Sequence, residues 1–218
     1  MLTSAHFFSE DVRGCMVKSP LDLTIGLLRS CNMPMPTDTA FEAQYSVWNR
    51  VRFLGEDASQ SLGEAPNVAG WPAYYQEPLF DLSWIDSATT AARIRAYQRL
   101  AYFGFSTPPN LYQPESQNLF FIIDFVAVVS NFSDPYDPNA LVQEAADMLF
   151  GVPVSSTVRQ QLKTQYLLQG QVTDSYCTSA YTTYVNDPST SDLTSRQVPG
   201  TLWQLFINVF AAAEFQLY

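Results

Sequence analysis

The sequence predicts an all-α protein, an irregular multi-helix bundle with one long structured loop that is rich in tryptophan. Apolar residues recur at helical spacing along most of the 218 residues. Strand and helix patterns do not alternate, no internal repeat is visible, and glycine and proline gather between the periodic segments. We therefore expect about seven to nine helices around a core of ordinary size.

The first helix is predicted from local signals at Ser19-Pro20-Leu21-Asp22. Serine suits the cap, proline the first helical position, and an acid the first turn. This helix should run to about Ser30 and stop before Met33-Pro34-Met35-Pro36. A second helix, capped by Thr37 or Asp38, is expected over about 39–53, and three aromatic residues share one of its faces: Phe41, Tyr45 and Trp48.

The predicted loop covers about 60–82, because five helix-breaking residues exclude a regular helix there: Gly63, Pro66, Gly70, Pro72 and Pro78. A loop of this length is usually functional or disordered. Its aromatic residues favour an ordered loop, since large rings need burial: Trp71, Tyr74, Tyr75, Phe80 and Trp84.

A third helix is predicted from Ser83 or Asp86 to about Phe103, ended by Gly104. Its expected apolar face holds Ile94, Tyr97, Leu100 and Ala101, and its arginines, Arg93, Arg95 and Arg99, should lie mostly elsewhere. Prolines at 108, 109 and 114 then suggest a boundary between regions 1–104 and 105–218, which we expect to pack as one domain.

In the second region, the apolar run from Leu119 to Val129 is interrupted by Asp124, which is either a helix end, a paired polar edge or a buried acid of functional interest. Helices are expected after Asp137-Pro138 and after Ser155 or Ser156. Residues 173–186 fit either a helix or a strand. The last predicted helix carries a wide apolar stripe: Leu202, Leu205, Phe206, Val209, Phe210, Ala213 and Leu217.

Composition argues against several classes of function. With 21 acidic and 11 basic residues the formal charge is −10, which disfavours nucleic-acid binding. The longest apolar run is too short to cross a bilayer. His6 is the single histidine, glycine is scarce, and the three cysteines lack metal-ligand spacing, so neither a metal nor a cofactor is expected. At most one disulfide could form, with Cys15 and Cys31 nearest in sequence.

Three stretches carry a family resemblance: residues 4–9 with 14–22, the closing segment 205–218, and Asn67-Val68-Ala69-Gly70-Trp71-Pro72 followed by Trp84-Ile85 and Arg93. Together they resemble the bacterial family called domain of unknown function 1800. The resemblance implies that the chain corresponds to the C-terminal half of such proteins. It also implies export to the periplasm or the cell surface, and a partner from a second exported family encoded beside it.

Two groups of residues could form a site. Arg13 and Lys18 could bind an anion at the N-terminus of the first helix, although Ser19 as a cap, with Lys18 paired to an acid, explains them as well. Asp81 and Asp86, with Glu77, flank Trp84 and could act on a sugar, or could simply cap a helix that Arg93 braces.

We expect a non-catalytic helical binding or assembly module that acts with a partner protein, while an enzymatic role stays open. The alternative is an extracytoplasmic carbohydrate-binding or hydrolytic protein that uses acids near the aromatic loop. A third possibility is that the chain completes an active site in an N-terminal half. The candidate binding residues are Trp71, Tyr74, Trp84, Asp81, Asp86, Arg93, Arg13 and Lys18.

Overall fold

The computed structural model describes residues 4–5, 9–110 and 117–218, and this part of the chain is mainly helical. The predicted all-α class is confirmed in this coarse form, with one small addition: strands β1 (Phe105–Thr107) and β2 (Leu119–Phe121) form an antiparallel pair. The helices are α1 (Pro20–Ser30), α2 (Phe41–Asp57), α3 (Ser87–Gln98), α4 (Phe125–Val129), α5 (Pro138–Leu149), α6 (Ser156–Leu162), α7 (Asp174–Asn186), α8 (Leu193–Arg196) and α9 (Val198–Ala211).

The chain divides into two compact units, one reaching to Ile123 and including Gln216–Tyr218, the other formed by Asp124–Phe215. The division differs from the boundary predicted at Gly104. The reason is the strand pair, because β1 follows Gly104 directly and pairs with β2, which keeps both strands in the first unit.

Helix α1 begins where its local signals predict. The Ser19 hydroxyl accepts a hydrogen bond from the Asp22 amide at 3.2 Å and donates one to the Asp22 carboxylate at 2.6 Å. Pro20 occupies the first turn, where a backbone amide hydrogen, which proline lacks, would have no partner within the helix. The buried side of the helix is lined by Leu23, Leu27 and Leu28.

Helix α2 exposes its aromatic row and buries its smaller side chains. The aromatic face of Phe41, Tyr45 and Trp48 is exposed, and the buried positions are occupied by small or β-branched residues: Ala43, Val47, Val51 and Gly55. Helices α1 and α2 approach closely there, since a Cβ added at Gly55 would lie only 3.0 Å from Leu21 Cδ2. Close packing therefore selects the small residues for the interface.

Helix α3 starts at a capping box in which Asp86 accepts hydrogen bonds from the Ala88 and Thr89 amides. The prediction for its faces is wrong at two positions, because Ile94 is exposed and Arg93 is buried. A π-helical turn, Arg99–Phe103, follows the helix. The turn ends at Gly104, whose φ of 61° suits glycine.

The second unit is built around the apolar stripe of α9, in which Leu205, Phe206 and Phe210 are fully buried. Phe125 of α4 stacks on Phe206 with 4.6 Å between ring centroids. Asp124 caps α4 and is exposed, as in the helix-end alternative. The ambiguous stretch 173–186 is helical, forming α7.

Candidate functional site

The aromatic residues predicted as a site form a cluster in the first unit. Trp84 is only 4% exposed and packs with Val17 and Ala73, while Trp71 and Leu217 cover this cluster from the side. The Tyr74 ring stands edge-on to the Trp71 ring and to the Trp84 ring, at centroid distances of 6.3 and 5.7 Å. Between α2 and α3 the backbone forms two short 3-10 helices, Pro72–Tyr74 and Phe80–Trp84.

Hydrogen bonds tie this cluster to the segment that precedes α1. Asp81 accepts a bond from the Val17 amide at 2.7 Å. The Gln60 side chain joins two elements, since it accepts from the Leu21 amide at 2.9 Å and donates to the Tyr74 hydroxyl at 3.1 Å. Asp81 and Tyr74 therefore hold the fold together locally in addition to any role in binding.

The C-terminal residues close the same region. Val17 and Leu217 form an antiparallel bridge, and the Tyr218 amide donates to the Met16 carbonyl at 2.9 Å. The Tyr218 hydroxyl donates a short hydrogen bond to the Asp22 carboxylate. Burial and that carboxylate raise the pKa of the Tyr218 phenol well above its usual value, so the phenol stays protonated.

Arg93 and Lys18 form a positively charged group beside the cluster. One terminal nitrogen of Arg93 donates a short bond to the Lys18 carbonyl, whereas its Nε and Nη1 find no hydrogen-bond partner in the described chain. Burial lowers the pKa of Arg93 to about 10. Burial also lowers the pKa of Lys18 to about 8, an effect that Asp22 opposes and Arg93 adds to. The fold thus holds two cations in a region of restricted solvent.

Two of the predicted site residues are exposed and take no part in the hydrogen bonds described above. Asp86 is exposed and serves as the cap of α3, and the hydrogen bonds from the Thr89 and Ala88 amides lower the pKa of its carboxyl. Arg13 is exposed at the end of the 3-10 turn Glu10–Val12. His6 lies outside the described residues. The contacts described above join Trp71, Tyr74, Trp84, Asp81, Lys18 and Arg93, and they do not include Arg13 or Asp86.

Two of the acids near Trp84 accept hydrogen bonds from the backbone, which makes them less available for catalysis. Asp81 is bound to a backbone amide and Asp86 to two, which leaves exposed Glu77 as the third candidate. No group of metal-ligating side chains occurs within residues 4–5, 9–110 and 117–218. The three cysteines are free thiols, so the Cys15–Cys31 bridge does not form.

A groove between α1 and α2 is a second candidate site, and sequence reasoning missed it. Its volume is about 510 Å³. Helix α1 contributes Leu21, Ile25 and Leu28 at spacings of four and three, and the far wall holds Trp48 and Val51. Met33, Met35 and Leu62 complete the apolar lining, and Arg29, Asn32 and Arg52 supply its polar positions. No signal in the sequence indicates the groove, because the exposure of Trp48, which marks an indole without a partner, appears only in the folded chain.

Within the described ranges no helix is both long enough and apolar enough to cross a membrane, as the sequence predicted. Comparison with curated proteins and with solved structures finds no significant similarity. The family model described as "Protein of unknown function (DUF1800)" matches residues 1–217. The chain therefore belongs to this family, and the resemblance predicted from its tryptophan motif is confirmed. The match gives no support to the expectation that the chain is the C-terminal half of such a protein.

Proposed function

We propose that this protein is a non-catalytic helical binding or assembly module that docks an amphipathic helix of another exported protein in the α1–α2 groove. The observation that carries the proposal is the groove itself, an open apolar channel bordered by a helix face of exposed aromatic residues. An amphipathic helix recognised by its apolar face is a common occupant of such a groove.

The lining suits apolar side chains of varied shape. Met33 and Met35 are flexible and polarizable, so they adapt to different partners, whereas Trp48 offers a rigid surface at the rim. Full burial of one leucine-sized side chain contributes about 1.5–3 kcal/mol, and a helix presents three such anchors over two turns. Three anchors together contribute about 4.5–9 kcal/mol, which is of the same order as the cost of association, so a specific complex also needs the contacts at the rim of the groove.

Charge at the rim indicates the chemistry of the partner. Arg29 and Arg52 belong to the groove, and its lining contains no carboxylate. Arg52 already pairs with Glu56 at 3.1 Å in an exposed ion pair, an interaction that contributes little. In a chain of formal charge −10, two arginines at one apolar groove favour a partner helix with acidic flanks.

The tryptophan-rich segment has a supporting role in this proposal. Trp71 and Trp84 act as a structured brace between the segment before α1 and the start of α3. Asp81 ties the brace to the Val17 amide, and Tyr74 ties it to the Gln60 side chain. Gln60 donates to Tyr74 and accepts from Leu21 of α1, which links the brace to one wall of the groove. The candidate residues around Trp84 thus position the groove.

The alternative function, binding or hydrolysis of a carbohydrate near Trp84, is less well supported. The indole of Trp84 is buried, so it offers no ring face for a sugar to stack on. Asp81 and Asp86 are engaged by backbone amides. Export is a further element of the proposal, which cell fractionation of the producing bacterium tests.

The test is a binding titration with a synthetic helical peptide that carries leucines at i, i+3, i+4 and i+7 and glutamates at both ends. Fluorescence anisotropy of the labelled peptide should show saturable binding to the full chain. Trp48→Ala should weaken binding by at least about tenfold, as expected for a rim anchor worth more than 1.4 kcal/mol. Phe120→Ala, an equally drastic change at a 74% exposed site outside the groove, should have no effect.

Two results would count against docking of a helix in the groove. One is equal loss of binding in Trp48→Ala and Phe120→Ala. The other is equal binding of a peptide with the same composition in scrambled order, since loss of the apolar stripe should abolish docking.

A further inference from the structure

The second unit contains a polar pocket that takes no part in the proposed docking. Its volume is about 280 Å³, and it lies between α5 and α6 beside the π-helical turn Lys163–Leu167. By the volume of liquid water this space equals about nine molecules, which suits one sugar-sized ligand. The polar lining consists of Asn139, Gln143, Ser156, Arg159, Gln160 and Lys163, and it includes no carboxylate.

Lys163 forms a fixed wall of this pocket. Its residue is only 7% exposed, and its Nζ donates to Asn139 Oδ1 at 2.7 Å and to Asp174 Oδ2 at 3.1 Å. The hydrogen bonds from Asn139 and then from Lys163 lower the pKa of Asp174, which keeps that carboxylate charged. The charge of Lys163 is therefore offset within the protein. A π-helical turn at such a position is typical of functional sites.

Arg159 is the cation that stays available to a ligand. It is half-buried, and within the described part of the second unit its guanidinium makes neither an ion pair nor a hydrogen bond. A guanidinium presents a planar fork of N–H donors that matches the two oxygens of a carboxylate.

The glutamine side chains of the pocket supply hydrogen-bond acceptors. Gln143 Nε2 donates to both oxygens of Asp147 at 2.7 Å, and Gln160 Nε2 donates to Thr164 Oγ1 at 3.1 Å. Both amide donors are thus turned to neighbours, which leaves the two carbonyl oxygens to accept hydrogen bonds. The Ser156 hydroxyl adds a group that can donate or accept.

The geometry points to a binding site for a hydroxylated carboxylate of the sugar-acid class, in which Arg159 pairs with the carboxylate while Gln143 and Gln160 accept bonds from ring hydroxyls. One strong cationic donor beside several acceptors matches a ligand with a single anionic end. The charge of −10 on the whole chain repels anions, so attraction has to arise from this local arrangement. Ser156 and Gln160 are exposed, which gives the ligand a route from solvent.

The experiment is calorimetric titration of the full chain with glucuronate. Arg159→Gln should weaken binding by at least about tenfold, the loss expected for a charge-assisted pair. Arg196→Gln makes the same change of charge at an exposed position outside the pocket and should leave binding unchanged. Gln160→Leu, at an exposed position where folding is safe, should also weaken binding.

Two further probes separate the parts of the ligand. Glucose lacks the carboxylate and inorganic phosphate lacks the ring hydroxyls, so each should bind at least about tenfold more weakly than glucuronate. The inference is overturned by failure of glucuronate to bind, by equal effects of the two arginine variants, or by either probe matching glucuronate. Far-UV circular dichroism of the variants checks that each is folded.

Discussion

Replacing Trp84 or Trp48 by alanine should distinguish the structural role of Trp84 in the brace from the binding role of Trp48 at the groove. Trp84 is 4% exposed within its apolar cluster, whereas Trp48 is 48% exposed at the rim of the groove. Truncating a buried tryptophan typically costs about 3–5 kcal/mol, because transfer energy is lost and a cavity remains. Truncating an exposed side chain usually changes stability by about 0.5 kcal/mol or less. We therefore expect Trp84→Ala to lower the free energy of unfolding by about 3–5 kcal/mol and Trp48→Ala by less than about 1 kcal/mol.

Urea unfolding followed by far-UV circular dichroism measures both changes, with the free energy obtained from the midpoint and slope of each transition. Because the chain has two compact units, the curves should be fitted with two transitions where two are resolved. The loss in Trp84→Ala should appear in the transition of the first unit. Equal destabilisation by the two variants, or a cost of less than about 1 kcal/mol for Trp84→Ala, would refute the assignment of Trp84 to the brace.

Three further outcomes follow from single residues. Gly104→Ala should destabilise the chain by at least about 2 kcal/mol, because φ is +61° and the new Cβ would lie 2.4 Å from the Phe121 carbonyl oxygen. Gly200→Ala is the control, because Gly200 lies within α9 with free space around it, and in the same urea assay it should be neutral or stabilising by about 0.5–1 kcal/mol. Similar losses of stability in the two variants would contradict the close contact at Gly104. Iodoacetamide should alkylate exposed Cys15 in the native protein and buried Cys31 only after unfolding, because burial raises the pKa of Cys31 to about 12. Peptide mass spectrometry measures the labelling of each cysteine, and labelling of Cys31 in the native protein would contradict this prediction. The pKa of Asp86 is lowered in the fold, so its stabilising charge is present above an unfolded value of about 3.9 and is lost as pH falls through the folded value. The melting-temperature deficit of Asp86→Asn should therefore be larger at neutral pH than at about pH 2.5, and a constant deficit would exclude this role.

The start of α1 could be predicted because its determinants are adjacent in sequence. Ser19, Pro20 and Asp22 act on amides within one helical turn, and the structure forms those bonds. The start of α3 at Asp86 was predictable for the same reason. Such capping hydrogen bonds join residues that are close in sequence, so they can be predicted without knowledge of the tertiary structure.

The faces of α2 could not be predicted from periodicity alone. The aromatic row of Phe41, Tyr45 and Trp48 and the small-residue row that includes Val47 and Gly55 both fit a helical repeat. Which row is buried depends on how closely α1 approaches, a property of two helices. The groove was missed for this reason, since its shape arises between α1 and α2.

Arg93 illustrates the same limit within the candidate site. Its carbonyl partner belongs to Lys18, 75 residues earlier in the chain. An arginine in a surface-like helical pattern gives no local indication that a distant carbonyl will bury it. The sequence did identify Trp71, Trp84, Lys18 and Arg93 as distinctive, but only the fold places them in one region.

Site-specific photo-crosslinking tests the docking groove most directly. A photoreactive residue at Leu62, an exposed position in the groove, should crosslink the proposed partner protein in cells that produce both. Mass spectrometry should place the crosslink on an amphipathic helix with acidic flanks, and the same probe at Phe120 should give none. Equal crosslinking from both positions, or a crosslink to a segment without an apolar face, would contradict docking of a partner helix between α1 and α2.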